Sequence, residues 1–409
     1  MLTIHQALAP SQTRPPTKTG LAIAGGGPVG AIYELGALRA LDESVEGLRL
    51  HELDVYVGVS AGALIAAGLA NRIPMTELCR IFLGHEYASL RFEPGSFLRP
   101  AYREYLRRAV SLPAIIRDAL LAMLRHPASS SLSQLIGELG KAIPSGLFDN
   151  ESMHDFLQRA FEATGHSNHF DDLECQLYVV AVDLDTGGAV RFGSPAHRNV
   201  SISRAVQASA ALPGLYPPVE IGGRFYVDGA LRRTLHASVA LDEGTDLLFS
   251  INPLVPFNAA SDGADDKIPT RQLIEGGLPL ILSQTFRAMI QSRMEAGFKQ
   301  YHTSHPFADL VLLEPDRSDE TIFFTNIFSY ASRKALCEYA YQMTRRDLLA
   351  RRRTLDRVLG EHGMSLNLER LSDSKRTLLD SIGARGSSHA PVARNLSGTL
   401  DELEDALAR

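Results

Sequence analysis

Cysteine is scarce in this chain, and the little there is forms no pattern. Cys79, Cys175 and Cys337 are the only three in 409 residues, odd in number and far apart. Such spacing argues against a disulfide framework and points to a reducing compartment, the cytoplasm, with each thiol packed in the interior. No grouping of His, Cys and Asp has metal-ligand spacing, so neither a metal nor another cofactor is expected. Long apolar runs are absent as well. The longest, Ala61–Ala70, falls short of the about 20 residues that a membrane-spanning helix takes. The first 19 residues carry His5, Arg14 and Lys18 but no continuous apolar stretch, which argues against a cleaved secretory signal. A basic excess is also missing: the net charge is −6, and no nucleic-acid partner is expected. No internal repeat is found, and nothing in the sequence sets an oligomeric state.

What is present is an ordinary globular composition, 45% hydrophobic and 22% charged. The length exceeds what one core usually serves, which predicts one main domain with appendages. Gly20–Ala24 reads as a short buried strand ending in three glycines. A helix follows, with Ala31, Leu35 and Leu38 on one face. Leu53–Val59 reads as a second strand that runs into Ser60 and a helix of small residues. Further strand signals lie at Gln176–Asp183, Ala189–Phe192, Arg224–Val227 and Asp246–Ile251. Strands alternating with helices predict a layered α/β fold with a largely parallel sheet. Beyond Asn252-Pro253 and a loop at Asn258–Asp266, the chain reads as helical except for an apolar run at Leu310–Leu313.

Three constellations could carry chemistry. Gly58-Val59-Ser60-Ala61-Gly62 is a G-x-S-x-G at a strand-to-helix junction. Small residues on both sides permit the sharp turn that presents a nucleophilic hydroxyl, and the helix behind it points its positive end at developing charge. An ordinary strand–helix turn would look the same. Gly25-Gly26-Gly27-Pro28-Val29-Gly30 is a glycine loop between strand and helix, able to bring backbone N–H groups close to a carbonyl or phosphate oxygen. Its G-x-G-x-x-G spacing also fits a dinucleotide site, which expects an acid about 20 positions on, at a strand end. Glu46 has that spacing but stands in a polar stretch. Asp228-Gly229-Ala230 follows a strand, where Asp228 could project into a cleft or simply begin a turn.

In that order and context, the three motifs resemble the patatin-like phospholipases, whose pattern is G-G-G-x-[KR]-G, then G-x-S-x-G, then D-G-[GA]. Val182–Gly187 and the run Ser209-Ala210-Ala211-Leu212-Pro213-Gly214-Leu215-Tyr216-Pro217-Pro218 are similar to two further family segments. The resemblance covers about Gly20 to Asn252. Val29 departs from it, standing where many members have Lys or Arg. The resemblance implies a three-layer α/β core with a helical cap, and a Ser60–Asp228 dyad that hydrolyses lipid acyl esters. Gly25, Gly26, Gly27 and Gly30 would form the oxyanion loop, Gly58 and Gly62 the nucleophile elbow, and Gly229 and Ala230 the turn after the Asp. On that basis the chain divides into a flexible segment at 1–19 and a catalytic domain at 20–260 with a cap at about 84–146. A mostly helical extension follows at 267–380, then a flexible tail at 381–409.

Two alternatives stay open beside a dinucleotide-binding protein. A Ser–His–Asp esterase would need a histidine after Asp228, from among His236, His302, His305, His362 and His389, but no H-G-G-G precedes the elbow. A lipid-binding protein without activity would use the same apolar surfaces. Two regions bear on membrane contact. Phe92, Phe97, Tyr102, Tyr105, Ile116 and Leu120 are interleaved with arginines in the Gly84–Gly146 stretch, which suits either an anionic membrane surface or plain core packing. The arginines of Arg345–Arg357 read as one solvated helix face or a lipid-headgroup patch.

Overall fold

A computed structural model of the chain describes residues 1–7, 17–84, 90, 92, 94–125, 142–163, 165–258, 274–318 and 330–383. Its centre is five parallel strands, in the order β10 (Asp309–Leu313), β9 (Leu247–Ile251), β2 (Thr19–Ile23), β4 (Val55–Val59) and β5 (Gln176–Asp183). Antiparallel strands close both sides. β1 (Leu2–His5) pairs with β10, while β8 (Arg224–Asp228) and β7 (Val219–Ile221) extend the sheet beyond β5, which β6 (Ala189–Phe192) also flanks. β2, β4, β9 and β10 are buried at every residue. Helices cover both faces of such a parallel sheet, so both sets of alternating side chains must be apolar.

The alternation sorts the core into two layers. Leu21, Ile23, Tyr56, Val179, Phe249 and Val311 face one side. There they meet α1 (Gly27–Ser44), α2 (Ala61–Ala70), α3 (Met75–Phe82), α6 (Ile202–Ser209) and α9 (Tyr330–Ala350). Ala22, Val57, Val180, Leu248 and Leu310 face the other, against α7 (Ala237–Asp242) and α8 (Gly277–Ser304). Further elements of the described residues are α4 (Tyr102–Arg125), α5 (Glu151–Phe161), α10 (Arg352–Glu361), α11 (Leu368–Ser372), α12 (Leu378–Ser381), short 3-10 turns, and a small ribbon of β3 (Val45–Glu46) with β11 (Ser365–Leu366). Helix, parallel sheet and helix stack as three layers. No helix of the described residues is long and apolar enough to cross a membrane.

Several expectations change. Residues 2–5, expected in a flexible segment, form β1, because the edge of β10 offers Leu2 and Ile4 a ladder and a core to pack on. The expected C-terminal appendage is part of the same body: β10 completes the sheet and α9 lies along α1, where Gly36 lets the helices approach at Cys337. Cys79 and Cys337, remote in sequence, meet there, and their hydrogen bond, together with burial, pushes the Cys337 thiol up. The Arg345–Arg357 run is not one solvated face. It spans α9 and α10, and Arg345 is buried, donating to the carbonyls of Arg370, Asp373 and Arg376. The expected tail from residue 384 onward lies outside the described residues, as do residues 126–141 of the expected cap.

Candidate active site

The three motifs converge at the C-terminal ends of the central strands, where open α/β sheets place their ligand crevices. β4 ends directly in Ser60, which adopts φ +52° and ψ −125° as α2 begins. A non-glycine residue rarely takes such a φ without tertiary support. The support is visible. The Ser60 amide donates to Ser209 Oγ at 2.8 Å, and that hydroxyl donates to the Val180 carbonyl at 2.6 Å. A Cβ on Gly62 would collide with the Ala24 carbonyl, and one on Gly58 with Ala63, so the elbow tolerates nothing larger at either place.

Asp228 ends β8, which is separated from β4 by β5. The chain crosses over β5 at Gly229, where any Cβ would strike the Val180 carbonyl. That crossing brings the carboxylate to the elbow: Ser60 Oγ donates to Asp228 Oδ2 at 2.6 Å, while Oδ1 accepts from the Ala230 amide at 2.8 Å. Burial pushes the Asp228 carboxyl up to about 6, against the opposing pull of those two hydrogen bonds. A carboxylate of that basicity is a better proton acceptor near neutral pH than an ordinary one.

The glycine loop joins them, with its members in different roles. The Gly25 amide donates to the Thr234 carbonyl at 3.2 Å, and the Gly30 amide to the Gly26 carbonyl at 3.1 Å. Both N–H groups are therefore spent on structure, which corrects the expectation that Gly25 and Gly30 hold an oxyanion. The amides of Gly26, Gly27 and Ala61 have no acceptor among the described residues. Pro253 packs against Gly26 and Gly30 and braces the loop from the end of β9. Val29 packs on the core and does not line the site.

Ser60, Asp228 and Gly25–Gly27 open into one cavity of about 310 Å³ with a mostly apolar wall. Phe92 and Phe97 belong to that wall, their rings 5.1 Å apart, so Phe97 is a cavity and core residue and not a surface one. Two arginines that sequence reasoning passed over, Arg287 on α8 and Arg333 on α9, also line it. Nothing local marks them, since they reach the site only through long-range packing. Ser209 stood in a family-like segment, but its hydrogen bond to the elbow is a tertiary fact.

The histidines lie elsewhere. His236 is buried and left-handed (φ +48°), and burial pushes it down to about 4. His305 faces Asp242 at 3.3 Å and His362 faces Asp309 at 2.8 Å. Among the described residues no histidine lines the Ser60 cavity. The His302 side chain and all of His389 lie outside them. Glu46 does end a strand, the two-residue β3, but that strand pairs with β11 away from the main sheet. The next parallel strand after the glycine loop is β4, and its end carries Ser60 where a dinucleotide site would place its acid.

Comparison with known proteins identifies the family. The family model described as patatin-like phospholipase matches residues 21–241, which include Ser60 and Asp228. Uncharacterized NTE family proteins of Mycobacterium bovis and Mycobacterium tuberculosis are 42% identical over 62 residues, 15% of this chain. That aligned stretch spans only 10% of the length of those relatives. Among solved structures, VipD from Legionella pneumophila is similar at 17% identity and a TM-score of 0.30, over 66% of this chain and 56% of that one. ExoU of the Pseudomonas aeruginosa type III secretion system, solved with SpcU, is similar at 13% identity and a TM-score of 0.27, over 93% and 72%. At those TM-scores neither structure adds to the fold already described. The chain belongs to the patatin-like phospholipase family.

Proposed function

We propose that the protein is a serine hydrolase of lipid acyl esters, acting on phospholipid or lysophospholipid through Ser60 and Asp228. The single observation that carries this is the 2.6 Å hydrogen bond from Ser60 Oγ to Asp228 Oδ2, at a strained elbow in an apolar cavity. Asp228 accepts the hydroxyl proton as Ser60 Oγ attacks the ester carbonyl. The oxyanion is met by the amides of Gly26, Gly27 and Ala61, aided by the α2 N-terminus. Collapse breaks the ester C–O bond, and the leaving alcohol takes the proton back from Asp228. Water then attacks the acyl-Ser60, again giving its proton to Asp228, and the fatty acid leaves as Ser60 recovers its own. The backbone donors supply the charge stabilisation, so the scheme needs no metal.

The substrate resides in membranes, and peripheral contact is part of the proposal. α4 supports it: Tyr102, Leu106 and Val110, four residues apart, are 68%, 66% and 80% exposed. An apolar stripe flanked by Arg99 and Arg107 suits an anionic lipid surface. The test of the activity is labelling by a fluorophosphonate probe together with hydrolysis of phospholipid and lysophospholipid. Wild type should do both and Ser60→Ala neither. A wild-type protein that binds lipid but does neither would be a lipid-binding protein, and the proposal would fall.

A further inference from the structure

The backbone carbonyl of Thr234 accepts from the Gly25 amide and so anchors the glycine loop of the Ser60 site. The side chain of the same residue is buried, 4% exposed, and its hydroxyl has no partner among the described residues. His236 repeats the pattern. It is 6% exposed, its Nε2 is buried without a partner among the described residues, and its backbone is left-handed at φ +48°. Burial, with Arg233 nearby, pushes its imidazole down to about 4, so the ring is neutral at physiological pH. A buried polar group left unpaired costs free energy, and two of them so close together call for a ligand that would pair them.

Both side chains line a second cavity, of about 490 Å³, between the segment after Asp228 and α8. Ala230 and Phe286 belong to its wall and to that of the Ser60 cavity. Three cations line it, Arg232, Arg233 and Arg293, and among the described residues no acidic side chain does. Arg232 donates to the Gly187 carbonyl at 2.6 Å, while Arg233 and Arg293 are exposed. Met289, Met294 and Phe298 of α8 make part of the wall apolar. A hydroxyl and a neutral imidazole N–H both donate to an anion, and guanidiniums match its charge. We propose that this second cavity binds an amphiphilic anion, an alkyl carboxylate or alkyl phosphate, which acts as an effector of the Ser60 site. The route passes through one residue: the ligand pairs the Thr234 hydroxyl, and the Thr234 carbonyl holds Gly25. Binding removes the cost of the unpaired groups and steadies the anchor of the oxyanion loop, so it speeds attack by Ser60. The activating role rests on the hydrolase reading above, whereas the binding site does not.

Two measurements on the full chain test these parts separately. The first is calorimetric binding of decanoate, decyl phosphate and decanol, below micellar concentrations, to wild type, Thr234→Val and Arg293→Gln. At least one anion should bind wild type about tenfold more tightly than decanol, and the tighter of the two identifies the head group. Its affinity should fall about tenfold in each variant, as loss of a charge-assisted hydrogen bond does. Without ligand, Thr234→Val should unfold no earlier than wild type, because it removes an unpaired hydroxyl and keeps the shape. Decanol binding as tightly as the anions, unchanged affinity in folded variants, or a Thr234→Val protein destabilised without ligand each overturns the site. The second is the rate of fluorophosphonate labelling of Ser60 as that anion is titrated. The rate should rise about fivefold to a plateau, and Arg293→Gln should need about tenfold more anion to reach it. A rate that falls towards zero means that the anion competes in the Ser60 cavity, and an unmoved rate means that the two sites are uncoupled; either overturns the effector role. If wild type is not labelled at all, the hydrolase reading falls, while the calorimetry still decides the site.

Discussion

Ser60 and Ser209 are joined through the backbone of one and the side chain of the other, an amide-to-hydroxyl hydrogen bond of 2.8 Å. Through it α6, a helix distant in sequence, holds the turn that presents the proposed nucleophile. Ser209→Ala leaves a buried N–H without its acceptor, which costs about 1–3 kcal/mol. We expect a lower unfolding midpoint and a fluorophosphonate labelling rate reduced about tenfold, since misplacing a reacting group is expensive. Labelling at the wild-type rate in a destabilised variant would make Ser209 a purely structural residue.

If Asp228 is the base of the proposed reaction, its carboxyl, raised by burial to about 6, should set the pH profile. Only its ionised form can take the Ser60 proton, so kcat/KM should fall about tenfold per pH unit below pH 6 and level off above it. An unperturbed aspartate would keep the plateau down to about pH 4. A profile flat to that point contradicts the assignment of Asp228 as base.

The same shift has a consequence for stability. The carboxyl is raised in the folded state relative to the unfolded one, so its contribution is fully present below about pH 4 and is lost as pH rises through about 6. At neutral pH the ionised, buried group destabilises the fold by about 3 kcal/mol, to order of magnitude. Asp228→Asn should therefore abolish hydrolysis yet raise the unfolding midpoint at pH 7, with the gain vanishing near pH 4. Ser60→Ala should abolish hydrolysis equally, and the double variant should lose no more than either alone. A midpoint for Asp228→Asn below wild type at pH 7 would contradict the burial cost.

Membrane contact through α4 predicts a separation of two activities. Replacing Tyr102, Leu106 and Val110 by Ser removes on the order of a few kcal/mol of apolar burial at an interface. We expect turnover of anionic vesicles to fall about tenfold relative to turnover of a soluble short-chain ester. The wild-type advantage on vesicles should shrink as salt rises. Cosedimentation with vesicles checks the binding step directly. An unchanged ratio would leave the exposed stripe of α4 without this role.

Much of the site was legible because its constraints are local. Gly58 and Gly62 flank Ser60 at a strand-to-helix junction, so a sharp turn could be read from five letters, while its reading as a nucleophile elbow came from the family resemblance. The glycine loop was legible as a loop, but not the division of labour inside it. Which amide is free depends on Thr234 and Gly26, whose carbonyls take the Gly25 and Gly30 donors. The short edge strand β1 escaped notice because its partner, β10, lies about 300 residues away and four residues carry little periodicity. The arginine run around residue 345 misled for a related reason: a charged residue reads as solvated until its carbonyl partners on another segment are known.

The sequence by itself determined the layered α/β class and the strand-ending motifs, because steric and periodic demands are written residue by residue. The candidate pair Ser60 and Asp228 followed only from the family resemblance that those motifs carry together. Only the tertiary structure decided that Asp228 reaches Ser60 across β5, that Ser209 holds the elbow, and that Arg287 and Arg333 enter the same cavity. Those relations join elements separated by tens to hundreds of residues. They depend on sheet order and helix packing, which no local pattern encodes.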